Sequence, residues 1–107
     1  MEGMALLREH ETLKRIQEWY SLQCNGDWEH RFGVDINTLD NPGWMVKIAL
    51  DNTELEDKPF SKVKLERSEN DWVHCWIENG KFEGAGGQHN LEEILNIFLD
   101  WSVSATA

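Results

Sequence analysis

Four side chains capable of chemistry fall close together where the sequence reads CNGDWEH, residues 24–30. They are a thiol, two carboxylates and an imidazole: Cys24, Asp27, Glu29 and His30. A thiol beside an imidazole can act as a nucleophile, and the same groups are common zinc ligands. The segment therefore suggests a small thiol-dependent or metal-dependent enzyme as one class of function.

The spacing of these groups argues against both chemistries. Zinc sites draw their ligands from paired motifs such as CxxC or HxxxH, and the chain contains neither. His74 and Cys75 are neighbours in a predicted strand, so their side chains point to opposite faces. A reactive thiolate needs nearby positive charge, whereas Cys24 has Asp27 and Glu29 beside it. We therefore expect no catalytic residue, no metal and no cofactor, and two reduced cysteines; a single long-range disulfide is the alternative.

A glycine-rich stretch, GAGG at residues 84–87, precedes a predicted helix as phosphate-binding loops do. The third glycine of a GxGxxG pattern would fall at His89, and no Lys-Ser or Lys-Thr pair follows. The sequence therefore predicts a flexible connection here.

Tryptophans form the more informative set, since the chain has six of them in 107 residues. Between residues 72 and 78, Val73, Cys75 and Ile77 alternate with Trp72, His74 and Trp76. Because strand side chains alternate between faces, the two tryptophans share a face with His74. Tryptophan surrounded by charge is typical of binding hot spots, so we predict that this face binds a partner. The alternative is that a register difference or a loop buries it.

Trp28 and Glu29 are the second candidate contact, placed by the turn that follows the first helix and near the hairpin end that carries Asp40. They either form the rim of a binding surface or serve as a structural turn. The complete predicted partner-binding set is Trp28, Glu29, Asp35, Trp72, His74, Trp76 and Glu78.

Hydrophobic periodicity predicts the elements that position these residues. Residues 4–24 predict an amphipathic helix with an apolar stripe of Leu6, Leu13, Ile16 and Tyr20. Two hairpins follow, one around Asn41-Pro42-Gly43 and one ahead of Asn79-Gly80, which predicts a further turn and a short fifth strand over residues 81–83. An acidic loop, residues 51–59, joins the hairpins. Asn90, with Glu93 three residues later, predicts the capped start of a last helix.

These elements predict the order α-β-β-β-β-β-α and the α+β class. We expect a single domain over residues 1–107, with an antiparallel sheet of four to five strands and both helices packed on one face.

The charge balance limits the partners. The chain has 10 Lys and Arg against 20 Asp and Glu, a net charge of −10 and a pI near 4.7. Phosphates repel such a chain, so nucleic acid and anionic membranes are disfavoured and a cationic partner is favoured. The sequence shows no leader peptide and no apolar run of membrane length, which predicts a cytoplasmic protein.

Several longer motifs resemble those of the immunity protein 53 family of bacterial polymorphic toxin systems. They are Trp19-Tyr20, QCNGDWEH (residues 23–30), TLDNPGW (residues 38–44), Asp71-Trp72 with Cys75, and NLEEIL (residues 90–95) with Phe98 and Trp101. The resemblance covers residues 13–101. It implies an α+β antitoxin that binds and neutralises a cognate toxin protein, expected to be basic, in the cell that produces it. A small-ligand domain that uses the tryptophan-rich face remains an alternative function, and a homodimer an alternative assembly.

Overall fold

The fold is an open five-stranded antiparallel sheet with two long helices on one face. The computed structural model describes the backbone of residues 2–105 and the side chains of residues 11–105. The elements are α1 (Glu2–Gln23), α2 (Trp28–Arg31), β1 (Val34–Leu39), β2 (Gly43–Ala49), β3 (Val63–Ser68), β4 (Asp71–Glu78), β5 (Lys81–Gly86) and α3 (Leu91–Val103). The predicted α+β class is confirmed, and the short helix α2 is an addition to it.

The strand order is β1-β2-β5-β4-β3, which places the last strand in the centre of the sheet. The prediction of a flexible connection at residues 84–87 is wrong, because β5 continues through Gly86. A Cβ atom at Gly84 would lie 2.5 Å from Cγ2 of Ile94. The absence of a side chain at Gly84 therefore lets α3 pack closely against the sheet.

The core lies between the sheet and the helices. Its largest members, Phe82 of β5 and Phe98 of α3, are fully buried and meet edge to face at 5.2 Å between ring centroids. Trp19 of α1 packs edge-on against Phe98 at 5.0 Å and so ties the first helix to the last. This arrangement explains why β4 buries Val73 and Cys75 while its alternate residues face away.

Helix α1 turns a different stripe to the core from the predicted one. Ile16 is buried as expected, but Leu13 is 62 % exposed and Tyr20 is 40 % exposed. Trp19 takes their place because its larger apolar surface is buried while its indole N–H donates to Glu54 at 3.1 Å. The side chain of Leu6 lies outside the described residues.

The loop between β2 and β3, residues 50–62, lies on the helical side of the sheet. Leu55 is 1 % exposed and joins the core. The ammonium group of Lys58 donates to the carbonyl oxygens of Trp101 and Ser104, each at 2.7 Å. A cation at the C-terminus of α3 satisfies carbonyl groups that the helix itself leaves free.

The Asn79-Gly80 turn is confirmed by its backbone angles, since both residues have positive φ, 55° and 75°. Such angles are those of the tightest hairpin turns, and they place β5 antiparallel to β4.

Candidate partner-binding surface

The face of the sheet that points away from the helices carries a mixed aromatic and charged surface, which we call the open face. Strand registers place residues opposite one another in rows across it. One row runs Asp35, Lys47, Glu83 and Trp76, and the next runs Asn37, Met45, Ala85, His74 and Lys64. A third pair, Trp72 and Glu66, completes the aromatic end.

Trp72, His74 and Trp76 lie together on the open face of β4, as their alternation predicted. All three side chains are half-buried. The rings of Trp72 and His74 meet edge to face, 5.2 Å apart between centroids. Nε2 of His74 lies 3.0 Å from Oε2 of Glu66 on the neighbouring strand. The result is a continuous patch rather than isolated aromatic groups.

The indole N–H of Trp72 differs from those of the other five tryptophans. The others donate to an oxygen atom of the chain; those tryptophans are Trp19, Trp28, Trp44, Trp76 and Trp101. Among the described residues, no acceptor is found for Trp72, and its nitrogen is not a buried orphan. A half-buried ring whose donor has no acceptor among the described residues is suited to meet an acceptor on another molecule.

Beside this patch, the edge of the sheet forms a shallow hollow. Its walls are Lys62, Val63, Lys64, His74, Trp76 and Glu78. Trp76 donates its indole N–H to Oε1 of Glu78 at 3.0 Å, so this carboxylate also orients the ring. Lys62 and Lys64 make one side of the hollow positively charged, and Glu78 makes the other side negatively charged.

The open face is balanced in charge although the whole chain is not. Its acidic side chains are Asp35, Glu66, Glu78 and Glu83, and its basic ones are Lys47, Lys62, Lys64 and Lys81. The excess of acidic side chains that gives the chain its net charge of −10 therefore lies on the helices and loops.

The structure brings together only part of the predicted set. Trp72, His74, Trp76 and Glu78 adjoin one another on β4. Asp35 shares their face but lies on β1, at the opposite edge of the sheet. The space between Asp35 and the β4 group is filled by Met45, Glu83 and Ala85. These three residues were not predicted, because their position depends on β5 being central.

Trp28 is part of the core and not an exposed contact. It is 2 % exposed, packs edge-on against Trp19 and Tyr20, and donates its indole N–H to the carbonyl oxygen of Asp51 at 2.8 Å. Asp51 follows the end of β2, so Trp28 lies at the end of the first hairpin opposite Asp40, which corrects the predicted location.

Glu29 serves the turn that joins α1 to α2. Its two carboxylate oxygens accept the backbone N–H groups of Asn25 at 2.9 Å and Gly26 at 2.8 Å. Together with the N–H of Glu29 itself, which is the largest cause, these hydrogen bonds lower the pKa of the carboxyl group. The carboxylate is thus occupied within the chain, as the structural alternative predicted.

A polar cluster fixes the start of β4, immediately before Trp72. Arg67 donates to Asp71 at 2.9 Å and to Glu93 at 2.6 Å. The amide of Asn90 donates to the same two carboxylates, at 2.9 and 3.1 Å. Asn90 does precede α3, but its side chain makes no capping hydrogen bond to the helix backbone. The cluster instead joins the β3–β4 turn to the first turn of α3.

The side chains of Cys24, Asp27 and Glu29 in the 24–30 segment have hydrogen-bond partners other than one another among the described residues. The Sγ atom of Cys24 lies 3.3 Å from the carbonyl oxygen of Tyr20, and Asp27 pairs with Arg31 at 2.8 Å. Within the described part of the chain, no group of three or more His, Cys, Asp or Glu side chains could hold a metal ion. Both cysteines are unpaired.

A family model described as Immunity protein 53 matches residues 13–103, most of the chain. The chain belongs to this family. Membership points to an immunity protein, to a protein partner and to binding rather than catalysis. Comparisons with curated proteins and with solved structures give no significant match. Of the helices described, none has the length and apolar character needed to cross a membrane.

Proposed function

We propose that this chain is an immunity protein that binds a cognate toxin domain through the open face and neutralises it by covering its active surface. The family supports an immunity role. The observation that supports this particular surface is the sheet face that the helices leave uncovered, with Trp72, whose indole N–H has no acceptor among the described residues. The chain acts as a single domain, in the cytoplasm of the cell that produces the toxin, and performs no catalysis itself.

The aromatic end of the open face supplies the contact area. A half-buried tryptophan already has one side packed against the sheet, so binding costs little side-chain entropy. Trp72 and Trp76 flank His74, and charged groups surround all three. An aromatic centre with a charged rim is the usual organisation of an interface hot spot.

Charge contributes mainly to the rate of encounter. The open face carries equal numbers of acidic and basic side chains, so its contacts suit a mixed surface. The net charge of −10 attracts a basic toxin domain over a longer range. We therefore propose that the toxin domain is basic, that the negative electrostatic field of the whole chain attracts it, and that the open face then binds it.

The direct test uses the C-terminal domain of the protein encoded immediately upstream of this chain. Cells that produce this domain alone should stop growing, and coproduction of the wild-type chain should restore growth. Trp72→Ala should restore growth poorly. Leu22→Ala, which truncates an apolar side chain 82 % exposed on α1, is the matched control and should rescue fully.

Two results would reject the proposal. One is growth arrest that the wild-type chain does not relieve, together with no complex between the purified proteins. The other is equal rescue by the wild-type chain and by a Trp72→Ala/Trp76→Ala double variant that is folded, since that would place the contact elsewhere.

A further inference from the structure

Strand β1 has an unpaired edge whose backbone groups point outwards. The carbonyl oxygen of Gly33 accepts the N–H of Ala49 at 3.1 Å, which fixes the hydrogen-bonding pattern with β2. Because the groups of an antiparallel strand alternate, the even-numbered residues of β1 direct theirs away from β2. These residues are Val34, Ile36 and Thr38, and no partner for their backbone groups occurs among the described residues.

Next to this edge, α1 exposes an apolar stripe that its own sheet leaves uncovered. Leu13 is 62 % and Tyr20 is 40 % exposed, and Ile36 of β1 is 41 % exposed. A groove between the helix and the strand is lined by Ile16, Gln17, Tyr20, Gly33, Val34 and Ile36. Among the described residues, no charged side chain lines it. Large apolar side chains grouped at a free strand edge are typical of an interaction surface.

The other edge of the sheet is constructed differently. Strand β3 carries Lys64, Glu66 and Arg67 along its length, and its pairing with β4 shifts register between Glu66 and Ser68. Charges and bulges on an edge strand prevent it from pairing with another chain. Strand β1 has a regular register and only one charged side chain, Asp35. The two edges therefore differ in whether they can accept a further strand.

We propose that two copies of this chain pair antiparallel through their β1 edges and form a dimer with two-fold symmetry. The outward backbone groups fit a register with the two-fold axis at Ile36. Ile36 then exchanges hydrogen bonds with Ile36 of the second copy, and Val34 does so with Thr38 of the second copy. All the outward groups of β1 are used, and the two sheets become one continuous sheet.

Side chains support this register on both faces. On the open face, Asp35 lies opposite Asn37 of the second copy, so that each carboxylate meets an amide donor. Moving the axis to Asp35 would instead oppose the two carboxylates. On the helical face, the axis runs perpendicular to the sheet, so the stripe of Leu13 and Tyr20 on one α1 faces the same stripe on the other. An apolar surface thus meets its own copy, as an isologous interface requires.

The dimer is independent of the proposed toxin contact. The aromatic patch around Trp72 lies on β4, two strands beyond β2 and on the opposite face from the α1 stripe. Both open faces point to the same side of the continuous sheet and remain free. Loss of the dimer and loss of toxin binding can therefore be measured separately.

Sedimentation equilibrium of the full chain tests the proposal with two matched variants. Ile36→Lys and Leu65→Lys each place a charge on an edge strand at side chains of similar exposure, 41 and 37 %. We expect the wild-type chain and Leu65→Lys to approach twice the 12.5 kDa of one chain at high protein concentration. Ile36→Lys should keep the mass of one chain. Thr38→Pro, which removes an outward N–H and leaves the β1–β2 ladder intact, should also dissociate the dimer.

Circular dichroism melts confirm that each variant is folded. Added salt should strengthen the dimer, because it screens the repulsion between two chains of net charge −10. A wild-type chain that stays monomeric overturns the proposal, as does dissociation by Leu65→Lys but not by Ile36→Lys. Loss of toxin binding in Ile36→Lys would also overturn it, since the toxin and not a second copy would then occupy this edge.

Discussion

Trp72 and Trp76 lie four residues apart on the same face of β4, yet among the described residues only Trp76 has a hydrogen-bond acceptor for its indole N–H. Its indole N–H donates to Glu78 at 3.0 Å, whereas that of Trp72 finds no acceptor among the described residues. The Trp76 ring is thus oriented by its own strand, and the Trp72 ring keeps a donor that no described residue uses. This difference makes Trp72 the centre of the proposed interface and Trp76 a support beside it.

Gly84→Ala should destabilise the fold. The added methyl group would lie 2.5 Å from Cγ2 of Ile94 in a closely packed core. Such overpacking costs about 1–3 kcal/mol, so we expect a clear fall in Tm. The measurement is thermal unfolding of Gly84→Ala, Ile94→Ala and the double variant.

In that set, Ile94→Ala removes the clashing atom. The stability lost by the double variant should therefore be smaller than the sum of the losses in the two single variants. Strictly additive losses would show that the methyl group does not meet Ile94.

Gly84 also shows where sequence reasoning reached its limit. Local periodicity predicted both long helices, the strands β1 to β4 and the alternation that separates Val73 and Cys75 from Trp72 and Trp76. It could not place β5, because strand order depends on pairings between distant residues. A glycine that looks like a flexible joint in sequence is, in the central strand, the space that α3 requires.

The same limit explains why the structural roles of Trp28 and Glu29 could not be assigned from the sequence. The sequence predicted a turn at Trp28 and Glu29, and polar or amphipathic residues in a turn are equally compatible with a binding rim. Only the fold shows that Asp51 accepts from Trp28 and that Glu29 accepts from Asn25 and Gly26. By contrast, the hairpin of β3 and β4 was predicted from the alternation of residues, and its observed register pairs Lys64 with His74 and Glu66 with Trp72.

Glu29→Gln should make the stability of the fold depend less on pH in the acid range. Hydrogen bonds from Glu29, Asn25 and Gly26 lower the pKa of this carboxyl group in the folded state, so the charged form stabilises folding. The contribution is complete above the ordinary pKa of 4.5 and disappears as the pH falls through the lowered value. The Tm difference between wild type and Glu29→Gln should thus be constant near neutral pH and shrink below about pH 4.5.

Glu69→Gln is the control for that titration, because Glu69 is exposed in the turn between β3 and β4, away from the end of any helix. Its Tm difference from wild type should stay small throughout. A Glu29→Gln difference that is unchanged down to the acid transition would contradict the role given to this carboxylate.

Cys75 should resist thiol reagents in the folded protein. The side chain is fully buried, and burial, together with the charge of Glu93, raises the pKa of its thiol to about 12. Near pH 8 we expect a disulfide reagent to label Cys24 alone, and both cysteines after unfolding in guanidinium. Mass spectrometry locates the label, and rapid native labelling of Cys75 would mean that the core is open.

Association with the toxin domain should slow as salt is added, because the net charge of the chain acts over a distance. Asp57→Lys changes the charge on the loop packed against the helices, away from the open face, and raises the net charge from −10 to −8. Stopped-flow measurements should show slower association and unchanged dissociation. Faster dissociation would place Asp57 inside the interface.

The most direct test of the open-face account compares Trp72→Ala with Trp28→Ala for affinity to the upstream toxin domain and for thermal stability. Trp72→Ala should lose about 2 kcal/mol of binding, roughly 30-fold in Kd, with a small fall in Tm. Trp28→Ala should lose about 3–5 kcal/mol of folding stability while its folded fraction binds normally. Wild-type affinity in Trp72→Ala, or a loss of stability as large as that of Trp28→Ala, would contradict the account.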